Sequence, residues 1–249
     1  MSVHADPDRV DPDRVVDPDR VVDLQGAGEP LPERPTTPEP EFAITSAGHV
    51  AFSATPTMLF SATATDASGL EIQSIALTAQ VMIDPARRGY DAATREKLAE
   101  LFGPAASWAP STQGLAWARV AAQVPGFRRS TIFALELPCT YDLEVASAKY
   151  FYALSDGEVP LSFHFNGTVF YLGPDGRLQV VPVSWSNTAQ FRMPVSAWRE
   201  MIAEHYPGGG WIRVQEHTLA ALNHRRAARG LPSFDACVAE LLEQDEPGA

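Results

Sequence analysis

Strict alternation of apolar and polar residues most constrains what this chain can fold into. It begins in TMLFSATATD and continues through LEIQSIALTAQVMID. The second stretch has apolar residues at Leu70, Ile72, Ile75, Leu77, Ala79, Val81 and Ile83. A period of two is typical of β-strands with one buried face, and the parity change near Ser74 predicts a β-bulge. The turn residues ASG between the stretches predict that the two strands pair.

Three further stretches predict strands: LAWARVAAQV, STIFALELPCTYDLEVASAKYFYAL and VPLSFHFNGTVFYL. The last contains Asn166-Gly167, a dipeptide common in hairpin turns. Apolar residues nevertheless keep one parity from Leu161 to Tyr171, which predicts a single long strand with a glycine kink. The following turn is predicted at GPDG, residues 173–176.

Helical signals are concentrated in the last quarter of the chain. Residues 195–206 have an apolar stripe at helical spacing, HTLAALNHRRAAR ends at Gly230, and Ser233 is suited to cap a final helix. One earlier helix is predicted over 91–102, where Asp91 is suited to be the N-cap. Strands followed by helices indicate an α+β class rather than alternating βαβ units.

The two ends of the chain differ in composition from the middle. Residues 1–41 contain DPDRV repeats, eleven acids and four arginines. Proline at this spacing forbids a helix interior, and the segment has too few apolar groups to form a core. We predict a disordered, acidic, proline-rich tail over 1–41, a single α+β domain over 42–243 and a disordered tail over 244–249. The first tail is either a docking arm or a repeat expansion that only adds solubility.

Charge and cysteine content exclude several classes of function. The net charge is −12, and the short arginine pairs form no basic stripe, so nucleic acid is not an expected partner. Neither a secretory signal nor a membrane-spanning run is visible. Cys139 and Cys237 are far apart and in no CxxC pair, which fits a reducing compartment. We therefore expect a cytoplasmic protein.

Sequence motifs for catalysis or cofactor binding are weak. The glycines at 208–210 follow a helix instead of preceding one, so they are not placed to bind phosphate. The six histidines show no metal-site spacing, and we expect neither a metal nor a cofactor. Cys139 as a nucleophile, or Asp142 with Glu144 as a carboxylate pair, leaves a hydrolase as an alternative.

Aromatic density is the remaining signal in the sequence. Phe163 and Phe165 share one parity and Phe170 has the other, so both faces of this strand carry large apolar groups. One face belongs to the core. The other requires a cover, which could be the C-terminal helices, a second subunit or a bound apolar chain.

The segments CTYDLEVASAKYFYALSDGEVPLSFHFNGTVFY, PVSAWREMIAEHYPGGGWIRV and ARGLPSFDACVAELL resemble an uncharacterised actinobacterial family. Genes of this family tend to lie beside those of [NiFe] uptake hydrogenases. The resemblance covers roughly residues 42–243 and implies an accessory role linked to a hydrogenase.

The order of elements is also similar to that of SecB export chaperones. Those proteins have long antiparallel strands, then a helix, a GG-aromatic segment and a last helix. The resemblance implies a strongly twisted SecB-like sheet with the C-terminal helices packed on it, and a protein that holds non-native clients.

Taken together, these features predict a non-enzymatic, chaperone-like accessory protein that binds a protein client or a hydrogenase subunit. A structural subunit of a hydrogenase complex is a second alternative beside the hydrolase, and a homo-oligomer is possible. The predicted binding residues are Phe163, Phe165, Trp198, Tyr206 and Trp211.

Overall fold

The computed structural model describes residues 37–104, 108, 114–140, 142, 145–208 and 212–245. The predicted tails lie outside the described residues over 1–36 and 246–249. The strands are β1 (Glu41–His49), β2 (Thr57–Thr65), β3 (Glu71–Ile83), β4 (Leu115–Phe127), β5 (Ser130–Pro138), β6 (Glu158–Leu172), β7 (Leu178–Pro182) and β8 (Thr188–Pro194). The helices are α1 (Ala92–Phe102), α2 (Ala146–Ala153), α3 (Val195–His205), α4 (Glu216–Arg229) and α5 (Phe234–Asp245), with a short 3-10 turn at Pro85–Arg87.

The strands form two antiparallel sheets, so the predicted α+β class with antiparallel strands is confirmed. The small sheet has the order β1-β2-β5. The large sheet has the order β4-β3-β6, and both β7 and β8 pair with the other edge of β6. The expected single sheet is therefore replaced by two.

The expected pairing of β2 with β3 is wrong. The connection 66–70 carries the chain from the small sheet to the large one, because β2 pairs with β1 and β5 whereas β3 pairs with β4 and β6. Asp66 holds this connection, accepting hydrogen bonds from the backbone N–H of Glu39 at 2.8 Å and of Ser68 at 3.0 Å. Alternation identifies a strand with one buried face, but it does not identify the neighbour of that strand.

Large aromatic side chains fill the space between the two sheets. Phe42 of β1 meets Phe165 of β6 at 4.8 Å between ring centroids, and Phe60 of β2 meets Phe163 of β6 at 5.2 Å. The five residues of β3 predicted to alternate into the core, from Ile75 to Ile83, are all buried. The architecture is thus a β-sandwich whose core lies between the sheets.

Strand β6 runs without interruption through Gly167, which confirms the predicted long strand. A Cβ at this position would lie 2.1 Å from the Ala76 carbonyl oxygen of β3, so the backbones approach too closely for any side chain. The predicted bulge is also present, because the register between β3 and β6 shifts between Ile72 and Ser74. The predicted turn follows β6, with Gly173 N–H donating to the Arg177 carbonyl at 2.9 Å.

Both predicted N-caps are confirmed. The Asp91 carboxylate accepts from the Thr94 N–H at 2.7 Å at the start of α1, and the Ser233 hydroxyl accepts from the Ala236 N–H at 3.0 Å at the start of α5. Gly230 closes α4 in the left-handed conformation, with φ of 63°.

One segment predicted as strand is helical. Residues 146–153 form α2, in which Ser147, Tyr150 and Phe151 are buried at helical spacing. The same residues also fit the period of two of a strand, because apolar residues fall on both faces of KYFYAL. A short apolar run of this kind does not distinguish a helix from a strand.

The C-terminal helices differ in how they pack. Helix α3 contacts β1 and β2, as expected of a helix packed on the sheets. Helices α4 and α5 instead pack on each other, with Arg229 and Glu240 paired at 2.7 Å, and α4 has no buried residue. The expectation that all of these helices cover the sheet is therefore wrong. No helix in the described part of the chain has the length and apolarity needed to cross a membrane.

Candidate functional site

The predicted binding residues lie in different environments. Phe163 and Phe165 are buried between the sheets, so the surface they were predicted to form is the interior of the sandwich. Trp198 of α3 is 3% exposed and stacks on Phe151 of α2 at 5.2 Å between ring centroids. Tyr206 is half-buried at the end of α3, and Trp211 lies outside the described residues. The alternation along β6 indicated which residues share a face of the strand. It could not indicate which of the two faces a second sheet would cover.

Helix α3 places two of the predicted residues beside a groove. The helix begins after Pro194. The first backbone N–H groups of a helix have no partner within it, so the N–H that proline lacks is not needed at this position. The lining residues are Tyr152, Trp198, Arg199, Ile202, Ala203, Tyr206 and Gly208. The groove has a volume of about 280 Å³ and lies between α2 and α3. Trp198 and Tyr206 therefore line the same groove.

The groove combines apolar walls with one cation. Tyr152 contributes an aromatic side chain that is 53% exposed. The guanidinium of Arg199 donates from Nε to the Leu154 carbonyl at 3.1 Å and also from Nη2 to the same oxygen. This carbonyl follows the last turn of α2, so the arginine joins the two helices and keeps its positive charge at the groove. Such a site suits an apolar side chain with a carboxylate next to it.

The other side of α3 holds the loop between β1 and β2. The Glu204 carboxylate accepts from the Phe52 N–H at 3.0 Å and lies 2.6 Å from His49 Nε2. His205 Nε2 lies 3.1 Å from the Ser53 carbonyl oxygen. The hydrogen bond from Phe52, followed by that from His49, lowers the pKa of Glu204 below its ordinary value.

This loop presents a strained aromatic residue to solvent. Phe52 is 98% exposed and has φ of 57°, the left-handed region that bulky residues rarely adopt. Sequence reasoning missed this position, because a phenylalanine gives no signal for positive φ, which glycine, asparagine or aspartate usually adopts. The left-handed conformation of Phe52 is associated with the contacts between this loop and α3, a helix that lies far along the chain.

The catalytic alternative finds little support around Cys139. Burial raises the pKa of its thiol to about 11, and the thiol donates to the Leu137 carbonyl at 3.3 Å. A nucleophilic cysteine needs the opposite shift, toward the thiolate. Asp142 is half-buried, and Glu144 lies outside the described residues.

A larger cleft of about 460 Å³ lies beside the start of β1. It is lined by Thr37, Pro38, Glu39, Pro40, Glu41, Phe42, Val181, Pro182, Ser184, Ser186, Asn187 and Thr188. Prolines, hydroxyls and two carboxylates form most of this lining, and these residues include no lysine, arginine, histidine or cysteine. We therefore regard the smaller groove as the candidate site. Within the described residues, no three His, Cys, Asp or Glu side chains cluster closely enough to bind a metal ion.

Comparison with solved structures finds weak likenesses. The CARDB domain of a Pyrococcus furiosus protein, solved with di-metal ions, is 9% identical, with a TM-score of 0.26 over 63% of this chain and 86% of that one. A putative ApaA protein from Bordetella pertussis is 13% identical, with a TM-score of 0.24 over 64% and 96%. The fimbrial subunit AggA from Escherichia coli is 10% identical, with a TM-score of 0.25 over 64% and 97%. These scores are too low to support the fold, which rests on the strand pairing described above.

Comparison with curated proteins finds no match. A family model does match, over residues 37–249, and it spans both sheets, the groove and the C-terminal helices. The chain therefore belongs to DUF6084, a family of unknown function.

Proposed function

We propose that this protein is a non-enzymatic accessory factor that binds a protein segment in the groove beside α3. The apolar groove with a single cation is the observation that carries the proposal. A buried thiol with a raised pKa argues against the hydrolase alternative.

The partner we propose is a hydrogenase polypeptide before its assembly, in the cytoplasm. This choice follows from the sequence resemblance to a hydrogenase-linked family. The segment bound would carry an aliphatic or aromatic side chain for Tyr152 and Tyr206, and a carboxylate for Arg199. Charge complementarity of this kind selects the orientation of a bound segment.

The chaperone-like part of the proposal rests on the SecB resemblance in the order of elements. The two-sheet arrangement and the separate α4–α5 hairpin limit that resemblance to the order of the elements. A holding function needs an accessible apolar surface, and the groove supplies one without opening the sandwich.

The test uses an arginine that fills the groove. Ala203 is exposed on α3 at the groove wall, so Ala203→Arg should block the groove while keeping a good helix former. Ala99→Arg makes the same change at an exposed position of α1 and serves as the control. Binding of the full chain to purified hydrogenase subunits is measured by calorimetry, together with suppression of subunit aggregation.

We expect the wild type and Ala99→Arg to bind equally and Ala203→Arg to bind at least about tenfold more weakly. Failure of the wild type to bind any hydrogenase subunit would refute the choice of partner. Equal binding by both variants would refute the groove. Stoichiometric retention in the mature complex would instead identify a structural subunit.

A further inference from the structure

The two C-terminal helices form a hairpin that the sandwich does not cover. None of the described residues 216–245 belongs to the main core cluster. Cys237 is the buried side chain of α5, with its thiol donating to the Leu222 carbonyl of α4 at 3.8 Å. The two helices pack on each other but bury little between them, because α4 has no buried residue. Helices of this length are marginal in water without more packing, so the hairpin is suited to a further contact.

Apolar side chains remain available for that contact. Leu219 of α4 is 46% exposed and Leu242 of α5 is 64% exposed. Phe234 is also exposed at the start of α5, where the Arg226 guanidinium lies 4.5 Å above its ring. A hairpin with exposed leucines on both helices has the composition of half a helical bundle.

The charges of the hairpin indicate what covers it. Helix α4 carries three arginines and one glutamate, whereas α5 carries four acids and no base. Within one chain, Arg225 and Arg229 both pair with Glu240, at 3.5 and 2.7 Å. A partner of one charge sign would complement only one of the two helices. A second copy related by a two-fold axis complements both, since α4 of each copy meets α5 of the other.

We propose that the chain forms a two-fold symmetric dimer through the α4–α5 hairpin, with Leu219 and Leu242 at the contact. This inference is independent of the groove beside α3. The proposal predicts that the purified full-length chain dimerises without any other protein.

Sedimentation equilibrium of the full chain over a concentration series tests the proposal. We expect a dimer, and we expect Leu219→Gln and Leu242→Gln each to raise its dissociation constant at least about tenfold, because apolar contact is lost. Leu178→Gln is the control, since Leu178 is 62% exposed but lies on β7, far from the hairpin in sequence. Circular dichroism of each variant verifies that the helices still form.

A charge-exchange experiment tests the symmetry. Arg226→Glu and Glu243→Lys should each weaken the homodimer, whereas an equimolar mixture should recover association, because each altered helix then meets its opposite. A chain that stays monomeric at the highest concentration, an equal effect of Leu178→Gln, or a mixture that does not recover would each overturn the proposal.

Discussion

At the scale of single residues, Phe52 shows how a contact distant in sequence can impose a local conformation. Its N–H donates to Glu204, and the neighbouring Ser53 carbonyl is close to His205. These contacts keep a fully exposed phenylalanine in the left-handed region. Strained residues of this kind persist only where the surrounding structure over-determines them.

Replacing Phe52 with glycine should therefore stabilise the protein. Glycine adopts positive φ without the clash of a Cβ, so Phe52→Gly should raise the free energy of unfolding by about 1 kcal/mol. Urea denaturation measures the change. Phe52→Ala keeps a Cβ and should gain much less, and a loss of stability in the glycine variant would contradict the assignment of strain.

Glu204 predicts a pH dependence of stability. Its pKa in the folded protein is lowered below the ordinary 4.5, so the unfolded chain binds more protons in that interval. The stabilising contribution is thus present above pH 4.5 and is lost as the pH falls through the folded pKa. Glu204→Gln should lower the melting temperature near neutral pH, and its difference from the wild type should shrink in acid. A difference that stays constant would contradict this, and Glu200→Gln on the same helix is the control.

At the scale of elements, regular patterns with local causes could be predicted and pairings could not. Three features follow from residues that are close together in the sequence. They are the helix capped by Asp91, the bulge near Ser74 and the continuity of β6 through Gly167. The neighbours of β2 and β3 depend instead on residues far along the chain. Helix α2 was missed because its aromatic residues fit both the period of two of a strand and the period of 3.6 of a helix.

Gly167 allows the close approach of β6 and β3. Gly167→Ala would place a Cβ 2.1 Å from the Ala76 carbonyl oxygen, so the strands would have to separate. We expect a loss of about 3 kcal/mol in the free energy of unfolding. Gly48→Ala meets nothing within 4 Å and should change stability by less than about 0.5 kcal/mol. Chemical denaturation compares the two, and equal effects would show that the approach is not constrained.

At the scale of the whole molecule, the sandwich depends on aromatic contacts that join its two sheets. Phe60 of the small sheet meets Trp117 at 6.0 Å, Phe163 at 5.2 Å and Phe191 at 6.2 Å, all on the large sheet. The sequence identified the aromatic density but assigned part of it to a binding surface, because a second sheet is not visible from one strand's parity. Of the predicted binding residues, Trp198 and Tyr206 line the groove. They do so because they lie on one side of α3 and at its end, and this helix was predicted from the sequence.

Truncating Phe60 should weaken both sheets at once. Phe60→Ala removes a fully buried ring, and we expect a loss of about 4 kcal/mol in the free energy of unfolding. Ile132→Ala, at a position 72% exposed on β5, should have an effect below about 0.5 kcal/mol. Thermal and urea unfolding monitored by tryptophan fluorescence would detect the difference. A small effect at Phe60 would mean that the sheets do not depend on this contact.

The position of β6 has a consequence for the order of folding. One edge of this strand pairs with β7 and β8, which follow it closely in the chain, whereas the other edge pairs with β3, where Ile83 meets Leu161. Local hairpins close quickly, and pairings that span a long segment close slowly because the loop entropy is lost first. During synthesis β3 emerges well before β6, so the edge of β3 that pairs with β6 stays unpaired until β6 has been made. An unpaired strand edge can pair with another chain, so this interval exposes the newly made chain to aggregation.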